Sequence, residues 1–149
     1  MATTQFNLGI IGCGFIAEQQ ARALSMVPEI RIVGLAARRP ESTANFKDKM
    51  GLKDCRCFQD YRDLLEMKDL DFVSISAPNC MHREMLCAAA EAGKHVLCEK
   101  PLANNIEDVD VMIQVMEQRN LKFSVYHEAA FYPENLFIRE LLDSESPAP

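Results

Sequence analysis

At one point in the chain a glutamate, a lysine and a proline stand in a row, Glu99-Lys100-Pro101, directly after the apolar run Val96-Leu97-Cys98. A lysine ammonium can donate a hydrogen bond to an oxygen that gains negative charge, which suits proton transfer at a hydroxyl or carbonyl. The plainer alternative is a surface ion pair worth under ~1 kcal/mol. A second pattern lies near the N-terminus, where Gly12-Cys13-Gly14-Phe15-Ile16-Ala17 has the form G-x-G-x-x-A. It leaves an apolar run and opens a helical one, the context in which such spacing binds a dinucleotide. Gly12 permits a tight turn. Gly14, with no Cβ, lets a pyrophosphate approach the backbone, and Ala17 lets the helix pack close to the strand. The phosphate would sit on the free N–H groups of the first helical turn, which holds Phe15, Ile16 and Ala17. The alternative is a glycine turn with no ligand.

Such a cofactor would next meet the end of the second apolar run, Gly34-Leu35-Ala36-Ala37-Arg38-Arg39-Pro40. A NAD site usually places Asp or Glu here, on the ribose 2′-hydroxyl. The first acid in this stretch is Glu41. A carboxylate would repel a 2′-phosphate, whereas a guanidinium pairs with one through two parallel hydrogen bonds. Arg38 and Arg39 therefore point to NADP, with NAD or dual use left open. Two solvated arginines ahead of a helix are the alternative.

These residues need a frame to hold them. Apolar, β-branched runs predict strands at 6–12, 30–36, 71–77 and 95–98, a weak strand at 55–58 and an alternating one at 121–126. Helical spacing predicts helices over 16–26, 40–50, 60–67, 79–92, from 104–105 onward, and over 133–142. Their expected buried stripes include Ile16, Ala17, Gln20, Ala21 and Leu24, then Met81, Met85, Ala88, Ala89 and Ala92, then Ile106, Val109, Ile113 and Met116. Asp60 and Asn104 or Asn105 suit N-caps, and Gly51 and Gly93 suit helix ends. Residues 143–149 are expected to fray. Strand and helix alternate throughout, so the fold class is α/β with a doubly wound, mostly parallel six-stranded sheet of order 3-2-1-4-5-6. In such a sheet ligands bind beyond the carboxyl ends of the strands, where the order reverses. Ala77, Pro78 and Asn79 after the fourth strand would flank that crevice opposite Gly12 to Gly14. Glu99-Lys100-Pro101 follows the fifth strand beside them, so the nicotinamide end is expected there.

Bulk properties narrow the class. The 149 residues are 48% hydrophobic and 26% charged, with a formal net charge of -6. That balance fits one globular domain and, with no basic block, argues against nucleic acid as a partner. No apolar run approaches the ~20 residues of a membrane helix. Residues 8–17 are apolar but hold three glycines, and the first basic residue, Arg22, comes after them, unlike an export signal. The six cysteines are thus expected to be reduced thiols of a cytoplasmic protein. Cys55-Arg56-Cys57 lacks the spacing of a zinc knuckle, so no metal is expected.

The stretches "GIIGCGFIA" and "APNCMHREMLCAAAEAGKHVLCEKPLA" resemble the Gfo/Idh/MocA family, which includes glucose–fructose oxidoreductase and inositol dehydrogenase. The resemblance covers about residues 6–142, and E-K-P after a strand is its most specific part. It implies hydride transfer between NAD(P) and a hydroxyl-bearing carbon of a sugar, polyol or diol. It makes Lys100 the catalytic lysine, places Glu99 on the nicotinamide ribose, and gives Lys100–Pro101 a cis bond. It puts Pro78, Asn79 and His82, the P-N-x-x-H positions, along the cofactor cleft, although a His82 that merely packs is an equal alternative. Where the family often carries R-F-x-P, this chain has Ala130-Phe131-Tyr132-Pro133, which puts an arginine contact in doubt. His127 and Glu128 either face the substrate or lie in a solvated loop. The family has a second domain that covers the cofactor. On this basis residues 1–126 are expected to form the dinucleotide-binding domain of a truncated or excised oxidoreductase. Residues 127–149 would form a helix and tail leading toward that second domain, with an exposed apolar face favouring homo-oligomers. A non-catalytic NADP-binding sensor or interaction module is the alternative.

Overall fold

In the computed structural model, which describes residues 4–145, strands and helices alternate along the chain. The strands are β1 (Phe6–Ile11), β2 (Ile30–Ala36), β3 (Arg56–Phe58), β4 (Phe72–Ile75), β5 (His95–Glu99) and β6 (Phe123–Tyr126). The helices are α1 (Phe15–Leu24), α2 (Pro40–Met50), α3 (Tyr61–Leu65), α4 (His82–Glu91), α5 (Ile106–Gln118) and α6 (Pro133–Glu145). The sheet order is β3-β2-β1-β4-β5-β6, and every neighbouring pair is parallel. This is the expected doubly wound order, and its reversal falls between β1 and β4.

Side chains alternate across each strand, so β1 feeds two cores. Leu8 and Ile10 pack with Ala17 and Ala21 of α1 and Phe46 of α2. Ile11 joins the other core, with Leu64 of α3, Leu86 of α4 and Met112 of α5. Leu64 is fully buried, a contribution of about 1.5–3 kcal/mol. Glycine at position 34 makes that burial possible: a Cβ there would lie 2.2 Å from Leu64 Cδ1.

Local signals act where expected. The Asp60 carboxylate accepts from the Arg62 N–H at the start of α3, and the Asn105 side chain accepts from the Asp108 N–H at 2.8 Å in α5. Gly51 closes α2 in the left-handed region at φ 67°.

Some expectations need correction. Ile16 is exposed, because the first turn of α1 overhangs the carboxyl edge of the sheet; Ala17, Gln20 and Ala21 are buried as expected. Residues 79–81 form a single 3₁₀ turn after Pro78, so α4 begins only at His82. Its buried face runs through His82, Met85, Leu86, Ala89 and Ala90, leaving Ala92 exposed. In α5 the buried line passes through Met112 and Met116, while Ile106 and Ile113 are exposed. Packing against α4 turns that helix partly away from the expected stripe. α6 continues to Glu145 instead of fraying from 143; the rest of the expected tail lies outside the described residues. Its Phe137, Ile138 and Leu142 are exposed, and none of them belongs to either core.

Candidate functional site

β1 ends at Ile11 and the chain turns through Gly12 at φ 93°. A side chain there would collide with β4's exit: a Cβ would lie 2.7 Å from the Ser76 carbonyl oxygen. Gly14 is free of such constraint. It is the N-cap of α1 at φ -97°, and a Cβ on it would meet nothing within 4 Å. Its missing side chain thus leaves room facing outward. The first hydrogen bond into α1 runs from the Glu18 N–H to the Gly14 carbonyl, and no side chain caps the helix. The N–H groups of Phe15, Ile16 and Ala17 precede that bond and have no intrahelical acceptor. Open space, free amides and the positive end of a helix dipole suit the diphosphate of a dinucleotide.

The turn opens into a cleft of about 950 Å³ between the carboxyl ends of β1, β2 and β4. Of the residues singled out in the sequence, Gly12, Gly14, Arg38, Arg39, Ala77 and Pro78 line it. Arg38 and Arg39 follow β2, are exposed, and take part in none of the ion pairs among the described residues. They fit a 2′-phosphate. The cleft is also lined by Ser42, Gln59, Arg62 and Glu84, which sequence reasoning missed. Arg62 is tied to Glu84 at 2.5 Å, and the Tyr61 hydroxyl donates to the same carboxylate oxygen at 2.8 Å. Burial, then the bond to Glu84, pushes the Tyr61 phenol up to about 12. The sequence predicts only a short helix over 60–67 capped by Asp60, which does not reveal what Tyr61 and Arg62 meet.

Ala17 packs beneath the turn, buried in the core. Asn79, Glu99, Lys100 and Pro101 do not line this cleft and stand at the exits of β4 and β5. Asn79 donates to the Asn104 side chain at 2.6 Å, linking the two exit loops. The Lys100–Pro101 bond is cis. Lys100 is exposed, whereas Glu99 is buried. Both Glu99 carboxylate oxygens accept from the protein itself: Oε1 from Gln20 Nε2 and Oε2 from the Lys100 N–H, each at 2.8 Å. The ribose contact implied for Glu99 therefore competes with internal partners.

His82 requires a correction to its place along the cleft. It is 1% exposed, and its ring nitrogens face the carbonyls of Ala77, Pro101 and Leu102 at 2.9, 3.1 and 3.2 Å. The geometry is that of the packing alternative. At the end of β6, His127 is exposed, while Glu128 Oε2 is buried with no hydrogen-bond partner among the described residues. All six cysteines are free thiols, and no group of three or more metal-ligating side chains occurs among the described residues. None of the described helices is long and apolar enough to cross a membrane.

Comparison with known proteins agrees with this geometry. The model of an oxidoreductase family with an NAD-binding Rossmann fold, GFO_IDH_MocA, matches residues 6–127. Levoglucosan dehydrogenase of Pseudarthrobacter phenanthrenivorans is 33% identical over 134 residues, covering 84% of this chain and 33% of that protein. Among solved structures, a 3-ketoreductase from Actinomadura kijaniata in complex with NADP and TDP-benzene superposes with a TM-score of 0.87 at 28% identity. That match covers 95% of this chain and 43% of the other. Scyllo-inositol dehydrogenase from Lactobacillus casei, with bound NAD(H) and scyllo-inositol, gives a TM-score of 0.86 at 26% identity over 95% and 42% of the two chains. The chain thus spans about two fifths or less of the length of these relatives.

Proposed function

The chain belongs to the Gfo/Idh/MocA family of NAD-binding oxidoreductases, and on that premise we propose that it is the cofactor-holding part of an enzyme acting on a sugar, polyol or diol. The reaction is hydride transfer between NADP, or less favourably NAD, and the hydroxyl or carbonyl carbon of that substrate. The observation that carries this reading is the turn at Gly12 and Gly14, which opens α1's free amides onto a cleft ending at Arg38 and Arg39.

A bound nicotinamide cofactor supplies the hydride donor or acceptor. The chain's own residues hold it and manage the proton. The α1 amides bind the diphosphate, and the two arginines favour a 2′-phosphate. Lys100, exposed after β5, holds a proton toward the substrate oxygen and stabilises negative charge there as the hydride moves. Calorimetric titration with NADP and then NAD tests the pocket; binding of neither removes the proposal.

A second reading is a non-catalytic NADP-binding sensor or interaction module, which needs the cleft but not Lys100. Turnover of NADPH with carbonyl substrates, abolished by Lys100→Ala, supports the enzyme. Cofactor binding without turnover at any length of the protein supports the module.

A further inference from the structure

Gln20 lies on α1 little more than one turn past the diphosphate-facing amides, yet it is 1% exposed and its side chain points into the sheet. There it meets an unusual set of partners. Its Oε1 accepts from the hydroxyls of Ser74, at 2.5 Å, and Ser76, at 3.0 Å, on β4 and just past its end. Its Nε2 donates to Glu99 Oε1 at 2.8 Å, on β5. The other oxygen of the same carboxylate accepts the Lys100 N–H. The set has an internal logic. A carboxylate only accepts, so the amide must turn its nitrogen toward Glu99. Its oxygen then faces β4, where two hydroxyls can donate. Every polar atom in the relay is thereby matched to a partner of the right kind, as a buried polar network requires.

We propose that Gln20 is a positioning residue for Lys100. It clamps the Glu99 carboxylate, and the clamped carboxylate holds the Lys100 backbone N–H, one bond from the Cα that carries the lysine side chain. The helix that faces the diphosphate and the strand that presents the ammonium are thereby joined by one buried amide. This inference rests on the reading of Lys100 as the group that handles the substrate proton.

The test reads the clamp without needing turnover. Amide hydrogen exchange of the 149-residue chain is followed residue by residue in the wild type, Gln20→Met and Ser74→Ala. Methionine keeps the length of the side chain but carries no donor. In Gln20→Met the Lys100 amide should exchange at least tenfold faster, while the β5 amide of Cys98 stays protected. A purely structural role would instead accelerate the protected amides together, through global opening. Ser74→Ala, the milder change, should give a smaller rise confined to the same position. A Lys100 exchange rate unchanged in Gln20→Met overturns the proposal, as does a rise shared equally with Cys98. Should that variant fail to fold, the wild type alone decides. Its Gln20 side-chain NH₂ must show one slowly exchanging proton, and an unprotected pair is incompatible with the clamp. Titration of the same samples with NADP and then NAD separates the two readings. Failure of the wild type to bind either NADP or NAD removes the proposed function and leaves the exchange result standing. Normal binding with an unmoved Lys100 amide removes only the clamp.

Discussion

His82 Nδ1 lies 3.1 Å from the carbonyl oxygen of Pro101, so the first residue of α4 grips the loop that follows β5. The same ring reaches the Ala77 carbonyl at 2.9 Å, on the loop that follows β4. Carbonyls only accept, so the single N–H of a neutral imidazole bonds one of these two loops while the ring packs against the other. His82→Phe keeps the bulk of the ring and removes both nitrogens. The loss of that buried bond should cost roughly 1–3 kcal/mol and lower Tm by about 3–10 °C. Thermal unfolding followed by circular dichroism checks this. An unchanged Tm would show that the carbonyls find other partners and that the grip is weak.

The two glycines of the turn should fail in opposite ways. Gly12→Ala forces a Cβ to 2.7 Å from backbone at Ser76 and holds alanine at φ 93°. Strain of this kind costs on the order of 1–3 kcal/mol, so the variant should unfold at lower denaturant. Gly14→Ala adds a methyl where nothing lies within 4 Å, at an ordinary φ of -97°. It should lose about 1 kcal/mol or less, as an N-cap change. The methyl nevertheless fills the space assigned to the diphosphate, so affinity for NADP should fall at least tenfold. Urea unfolding and calorimetry on the pair separate the effects. A Gly14→Ala protein that binds NADP like the wild type would place the diphosphate elsewhere.

How far the sequence alone could reach follows from which forces are local. Strand runs such as Ile30–Ala36 and the order of the sheet were legible, because buried parallel strands are continuously apolar and crossovers restrict topology. The cap at Asp60 was legible too, and that of α5 to within one residue, Asn104 or Asn105, since capping acts within one turn. The face of α5 was not: Met112 and Ile113 are adjacent, and only the contact with α4 decides which is buried. At the cleft, Gly12 and Gly14 stood out by spacing, and Arg38 and Arg39 by their place after the second strand. Gln20 looked like one more stripe position, because its partners Ser74, Ser76 and Glu99 are 54, 56 and 79 residues away. The choice between two roles for His82 likewise needed carbonyls that no sequence pattern reveals.

Arg38→Ala tests cofactor choice. An arginine–phosphate pair exists only with the 2′-phosphate present, so the loss should fall on NADPH. Charge-assisted bonds are worth about 1.5–3 kcal/mol, which predicts a roughly 10- to 100-fold weaker Kd for NADPH with little change for NADH. Parallel titrations with the two nucleotides measure it. Equal losses would mean that Arg38 supports the fold of the cleft rather than the phosphate.

The cysteine in the glycine turn bears on the same charge. A thiolate at Cys13 would stand beside the diphosphate and repel it. Burial, reinforced by neighbouring Cys57 and Cys55, instead pushes the Cys13 thiol up to about 12. Burial does the same for Cys55 and Cys98. At pH 8 a thiol with that pKa is ionised to only about one part in 10⁴, and the thiolate is the reactive form. Iodoacetamide at pH 8 should therefore label the exposed Cys57 and Cys80 and leave Cys13, Cys55 and Cys98 intact, as read by peptide mass spectrometry. Labelling of Cys13 as fast as Cys57 would mean an ionised sulfur in the turn. The α1 amides would then already face a negative charge, and the turn would be a poor place for a second one.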